Sequence, residues 1–194
     1  KDEIDQIGYP TTVGTSFLGT NEAQTDATVV ARLRKAGALL IGKANMHEIG
    51  IGVTGMNPHH GHARNPYDPE CITGGSSSGS AASVAAGLFP VAIGADGGGS
   101  IRIPAGLCGV VGLKGTFGRI SEYGAYPLCW SVAHVGPIAA TIQDAALAYA
   151  VIAGKDPNDS LSQQQPPVRV DGLDDMDLTG VRVGVFNAWF EHAE

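Results

Sequence analysis

Apolar positions along this chain fall into short blocks separated by polar, glycine-bearing stretches. In ATVVARLRKAG (27–37), Val29, Val30 and Leu33 share one helical face. Thr25-Asp26 precedes them as a start signal and Gly37 follows as a C′ residue, so the pattern predicts a helix. ALLIG (38–42) then reads as a buried strand. Ser78 to Gly87, rich in alanine and small residues, predicts a buried helix, and FPVAIGA (89–95) an interior strand. Thr141 caps a further helix, IQDAALAYAVIAG, that stops at Gly154, and VRVGVF (181–186) restarts a strand. Residues 1–20, broken by Pro10, Gly14 and Gly19, read as loop. So do 155–175, polar and proline-bearing, which predict a long exposed loop. Residues 121–141 read as irregular chain ending in Gly136-Pro137, with Tyr123, Tyr126 and Trp130 walling a pocket or packing the loop. Helices alternating with strands, without an internal repeat, predict an α/β layer architecture.

Two glycine-serine clusters change that picture, GGSSSGS at 74–80 and GADGGGS at 94–100. Glycine lets backbone bend sharply or approach a ligand closely, and serine brings the only nucleophile-capable atom in either cluster. The elements place Ser76 just before a helix and Ser100 just after a strand, the ends where α/β sheets carry their sites. Consecutive N–H groups at Gly97, Gly98, Gly99 and Ser100 meet little steric obstruction, as an oxyanion hole requires. Asp96 and Arg102 bracket Ser100 and are expected to hold the loops through nearby backbone and hydroxyls. Ser77 and Ser78 are expected to cap the helix that follows. A flexible linker would show glycine and serine without such elements. A phosphate loop of the form G-x-x-x-x-G-K-[ST] is absent.

Composition narrows the function. The 194 residues suffice for one domain with a sizeable core. A net charge of −7 with no basic run argues against nucleic acid as a partner. Twenty-eight glycines exceed the usual ~7% without a fixed period, which excludes collagen and concentrates attention on the loops. No uncharged apolar stretch reaches the ~18 residues of a membrane span. Cys71, Cys108 and Cys129 lack metal-ligand spacing and are expected to be reduced, structural and buried. His47-Glu48 does not continue into H-E-x-x-H, because position 51 is Ile. His59, His60 and His62 crowd a proline-bearing loop that leads toward the first serine cluster. They are expected to be loop residues, so neither metal nor cofactor is called for.

The segments TGGSSSGSAA, DGGGSIRIPA and CGVVGLKGTFGR resemble the signature of the amidase signature family of serine hydrolases. The resemblance implies a mixed sheet covered by helices on both faces, of which this chain is the central part, truncated at both ends. It implies Ser100 as nucleophile, Ser76 on a cis peptide as proton relay, and Lys1, opening KDEIDQIGYP, as base. Ser100 lies 24 residues after Ser76, and Ser76 lies 75 after Lys1, spacings in line with the family. Lysine ordinarily titrates near ~10.4, so as a base it must be desolvated. GKAN at 42–45 is then a structural turn and Lys43 the less favoured base. The wording is closer to plant fatty acid amide hydrolases than to the glutaminase subunit of the tRNA-dependent amidotransferase. Gly97, Ala133 and Ala140 stand where that glutaminase has Thr, Asp and Arg. The implied substrate is a small amide with an apolar acyl chain, N-acylethanolamine-like. A general amidase, a non-catalytic binding relative and the glutaminase subunit remain the alternatives. A homodimer, membrane association through other segments and the compartment stay open.

Overall fold

The computed structural model describes residues 1–187 and 191. Three strands form an antiparallel sheet in the order β1-β3-β2: β1 is Val91–Asp96, β2 Val111–Gly112 and β3 His134–Ala139. Ala95 pairs with Val135 and Asp96 with His134, so β1 ends level with the start of β3.

Side-chain alternation splits the core between the two sheet faces. On one face Ala95 and Val135 pack with Ile4, Val29, Val30, Ile120 and Ile152. These come largely from the helices α1 (Thr28–Lys35) and α4 (Ile142–Ile152). On the other, Ala92 and Ile138 meet Ala81, Val84, Ile101 and Ala105 of α2 (Ser78–Ala85), α3 (Arg102–Leu107) and the turn between β1 and α3. Helices therefore cover both faces of the sheet.

Small residues let α2 approach closely. A Cβ on Gly94 would stand 2.8 Å from Ser77 Oγ, and one on Gly79 2.6 Å from the Asn45 backbone nitrogen. Bulk at either point would lever α2, and the serine loop before it, away from its neighbours.

Three elements, β2, β3 and α3, form where the sequence pattern predicts none, and two predicted strands do not form. β3, the central and fully buried strand, lies inside the stretch that reads as irregular because Gly136-Pro137 resembles a breaker. Proline is tolerated here because β2 has ended. Leu113 N–H donates to the Pro137 carbonyl at 3.0 Å, and Pro137 has no N–H to return, so the ladder stops there. α3 is hidden by Pro104, which occupies its first turn, where N–H groups have no intrahelical acceptor. Conversely, 38–42 and 181–186 form no strand. Leu39 is 91% exposed and Val183 82%. An apolar run becomes a strand only where another strand takes its backbone groups, and among the described residues no strand pairs with either run.

Helix starts also differ from expectation. Ala27, not Thr25-Asp26, precedes α1; the Asp26 carboxylate instead accepts from Ile7 N–H and Arg34 Nε, each at 2.8 Å. Gly37 does end the helix, at φ +88°. Thr141 caps α4 by accepting from Asp144 N–H at 3.1 Å. Residues 155–175 contain no helix or strand, yet Asp156 and Ser162 within them are buried. The Asp156 carboxylate gathers the hydroxyls of Thr28 and Ser121, tying this segment to the start of α1.

Candidate active site

Lys1 lies along β1. Its main-chain nitrogen donates to the Ile93 carbonyl at 2.8 Å, and its side chain runs to the strand end. There Nζ lies 2.8 Å from Ser76 Oγ, 3.3 Å from the Ala95 carbonyl and 3.2 Å from Glu3 Oε2. Burial pushes the Lys1 amine below the ordinary lysine range, while the negative charges of Glu3 and Asp96 pull the other way. Desolvation of this kind is what a lysine needs to act as a base.

Ser76 is fully buried and follows a cis Gly75–Ser76 peptide. Its carbonyl accepts from His47 N–H at 3.0 Å. The neighbouring Ser77 N–H donates to the Ser100 carbonyl at 3.2 Å, which joins the two glycine-serine loops. Neither Ser77 nor Ser78 caps α2 through its side chain, contrary to expectation. Ser77 Oγ turns to the backbone of Ala95, accepting from its N–H and donating to its carbonyl, both at 3.3 Å. Ser78 Oγ donates to the Asn45 carbonyl. The pull of β1 outweighs the cap because the strand brings two backbone partners at once.

Asp96 organises the loop that carries Ser100. Its carboxylate accepts from the N–H groups of Gly99 (2.7 Å), Ile101 (3.1 Å) and Arg102 (3.3 Å), and from Arg102 Nε (2.9 Å) and NH2 (3.0 Å). Burial alone would push this carboxyl up; the Arg102 guanidinium and the three N–H groups outweigh it and hold it at about 2. One expected donor is thereby removed. The Gly99 N–H is engaged by Asp96, whereas those of Gly97, Gly98 and Ser100 meet no acceptor among the described residues. An oxyanion hole can be built from those three, not from Gly99.

The remaining candidates are held elsewhere. Lys43 Nζ donates to the Pro10 carbonyl (3.1 Å) and Thr11 Oγ1 (2.9 Å) and pairs with Asp2 (3.3 Å), a loop clamp away from the serines. His59 Nε2 is 2.8 Å from Glu48, His60 Nε2 is 2.8 Å from the Thr15 carbonyl, and His62 Nδ1 accepts from Asn57 N–H. Among the described residues no cluster of three metal-ligating side chains occurs. Cys108 is buried as expected, but Cys71 and Cys129 are exposed.

Sequence reasoning missed two acids, Glu3 and Glu122. Both line a small, shallow cleft, partly open to solvent, that borders Ala95 and Ala133 and is walled by Tyr126, Leu128 and Trp130. Ala133 lies against Gly97, so the cleft runs beside the Ser100 loop. Burial pushes the Glu122 carboxyl up to about 7, helped by the Glu3 and Asp159 charges and opposed by the Val135 N–H that it accepts at 2.8 Å. Glu3 carried no periodic signal: residues 1–4 form a turn, Ile4 N–H donating to the Lys1 carbonyl at 3.2 Å, and that turn brings Glu3 beside Lys1. Glu122 had none, because its neighbour Val135 belongs to the strand that the sequence concealed.

A buried lysine thus hydrogen-bonds one serine, and the loop of a second serine is bonded alongside. The family model described as Amidase matches residues 1–193, and the chain belongs to that family. It is 49% identical over 195 residues to a fatty acid amide hydrolase of Oryza sativa subsp. indica, covering 98% of this chain and 32% of that protein. It is 46% identical over 194 residues to a 1-carboxybiuret hydrolase subunit of Pseudomonas sp. (strain ADP), covering 98% and 42%. Among solved structures, a glutamyl-tRNA(Gln) amidotransferase subunit of Thermotoga maritima superposes with a TM-score of 0.86 at 41% identity, covering 89% of this chain and 38% of that one. The chain thus spans about a third of the length of the fatty acid amide hydrolase that it matches.

Proposed function

We propose that this chain carries the catalytic centre of an amide hydrolase working through an acyl-enzyme. Ser100 Oγ attacks the amide carbonyl carbon, and its proton passes to Ser76 Oγ as Ser76 gives its own to the neutral Lys1 amine. The carbonyl oxygen, now an anion, is received by N–H groups from Gly97, Gly98 and Ser100. As the C–N bond breaks, the proton returns from Lys1 through Ser76 to the leaving nitrogen. Water then repeats the sequence on the Ser100 ester, releasing the acid and restoring the hydroxyl. A positioned general base is worth about 10²- to 10⁴-fold in rate. A single oxyanion donor is worth roughly 2.7–4 kcal/mol. The observation that carries this reading is the 2.8 Å contact of the buried Lys1 amine with Ser76 Oγ.

For the substrate we infer an amide with an apolar acyl chain, N-acylethanolamine-like. Support comes from relatives named fatty acid amide hydrolase and from the aromatic and aliphatic wall of the cleft. Turnover of a long-chain acyl ethanolamide by the full-length enzyme, compared with glutamine and a short aliphatic amide, tests it. Preference for the long chain is expected; preference for glutamine would overturn the substrate and leave the chemistry standing.

A further inference from the structure

Glu3 takes no part in the proton relay, yet its carboxylate is packed against the amine that ends it. The Lys1 and Glu3 side chains are 1% and 2% exposed, with Nζ and Oε2 3.2 Å apart. Oε2 is sealed from solvent and accepts no hydrogen bond from any described residue. The Lys1 amine is the cation that faces this sealed oxygen, and both its charge and its N–H groups favour the ammonium form beside Glu3.

That charge acts where the relay is most sensitive. Lys1 must present a lone pair to Ser76, and a carboxylate at this range favours the ammonium, which has none. The other ionisable groups around the pair are few. Asp96 contributes a second negative charge from the end of β1, already bound to Arg102. Glu122, from the loop before β3, lies close enough for its charge and that of Glu3 to repel, and burial pushes its carboxyl up to about 7. Lys114 acts on Glu122 and Asp96, and Asp2 and Lys43 pair with each other. Glu3 is thus the charge in contact with Nζ, opposing the burial that frees the amine.

We propose that Glu3 is a positioning residue that sets the charge of the Lys1 amine at the Ser76 hydroxyl, and with it the pH at which the relay operates. The inference rests on the proposed role of Lys1 as base. A lysine in this environment without Glu3 would serve as base at lower pH.

The test is the pH dependence of Ser100 labelling by a fluorophosphonate probe, on full-length wild type and on Glu3→Gln. An opposite charge this close shifts a titration by about 1–3 pH units, so the acid limb of the variant is expected at least about one unit lower. Labelling at a pH on the wild-type limb then rises roughly tenfold relative to each protein's own plateau. A residue with a merely structural role would lower the plateau and leave the limb in place, and that result overturns the inference, as does an upward shift. Should Glu3→Gln fail to fold, Glu3→Asp gives the same reading. Its carboxylate is drawn back from Nζ, so a smaller downward move is expected and an unmoved limb is contrary. Failure of wild type to label at Ser100 would remove the base itself and this inference with it. Labelling of wild type with an unmoved variant limb overturns the role of Glu3 alone.

Discussion

Ser77 N–H donates to the Ser100 carbonyl at 3.2 Å, so the loops bearing the two candidate catalytic serines are joined through main chain. The Ser77 hydroxyl then fastens the same residue to Ala95, whose carbonyl also meets Lys1 Nζ. One serine thus bonds three segments of the site without entering the proposed relay. Side-chain changes nearby should therefore act through how closely these backbones approach.

Gly94→Ala tests that closeness. The added Cβ would stand 2.8 Å from Ser77 Oγ and 3.0 Å from Ile101 Cγ1, on both sides of the join. We expect a destabilisation of about 1–3 kcal/mol in urea unfolding, the usual cost of overpacking, with slower labelling of Ser100 in the fraction that stays folded. Unchanged stability and labelling would mean that the loops tolerate separation.

Asp96→Asn removes the charge that gathers five donors around the Ser100 loop. The Asn amide group places N–H bonds where only acceptors fit. A loss of about 2–3 kcal/mol is expected, in the range for hydrogen bonds to charged groups after allowing for the exposed Arg102. The pH dependence has a fixed sign. The folded carboxyl titrates at about 2, below the ~3.9 of an unfolded chain, so its contribution is complete above ~4 and fades as pH falls toward 2. Acid unfolding of the variant should lack that component.

Glu122 has the opposite sign. Its folded carboxyl titrates at about 7 against ~4.3 unfolded, so the folded state holds the extra proton between those values and stability falls as pH rises through them. Glu122→Gln keeps an acceptor for Val135 N–H and abolishes this slope. The variant should gain in Tm relative to wild type as pH is raised from 5 to 8. A constant difference across that range would show that Glu122 is ionised throughout.

Much of the site was legible before the fold because it depends on local chemistry. Glycine runs, the serines within them and the acid–arginine bracket around Ser100 are close in sequence, and the helix and strand beside them follow from short-range pattern. What escaped depends on pairing at long range. Pro137 looks like a breaker until β2 is seen to stop beside it, and ALLIG looks like a strand although no described residue pairs with it. The Gly99 N–H looks available until Asp96 is seen to fold back on it. Glu122 becomes part of the site only because β3, with Val135, is central.

The most direct test of the account is fluorophosphonate labelling of the full-length enzyme, followed by peptide mapping, in wild type, Lys1→Ala and Ser76→Ala. The account predicts an adduct on Ser100, slowed by about 10²-fold or more in either variant, the scale of a lost general base. A folded wild-type protein with no adduct would point to a binding relative. An adduct on another residue, or labelling that survives loss of Lys1 and fails on loss of Lys43, would contradict the assignment of the relay.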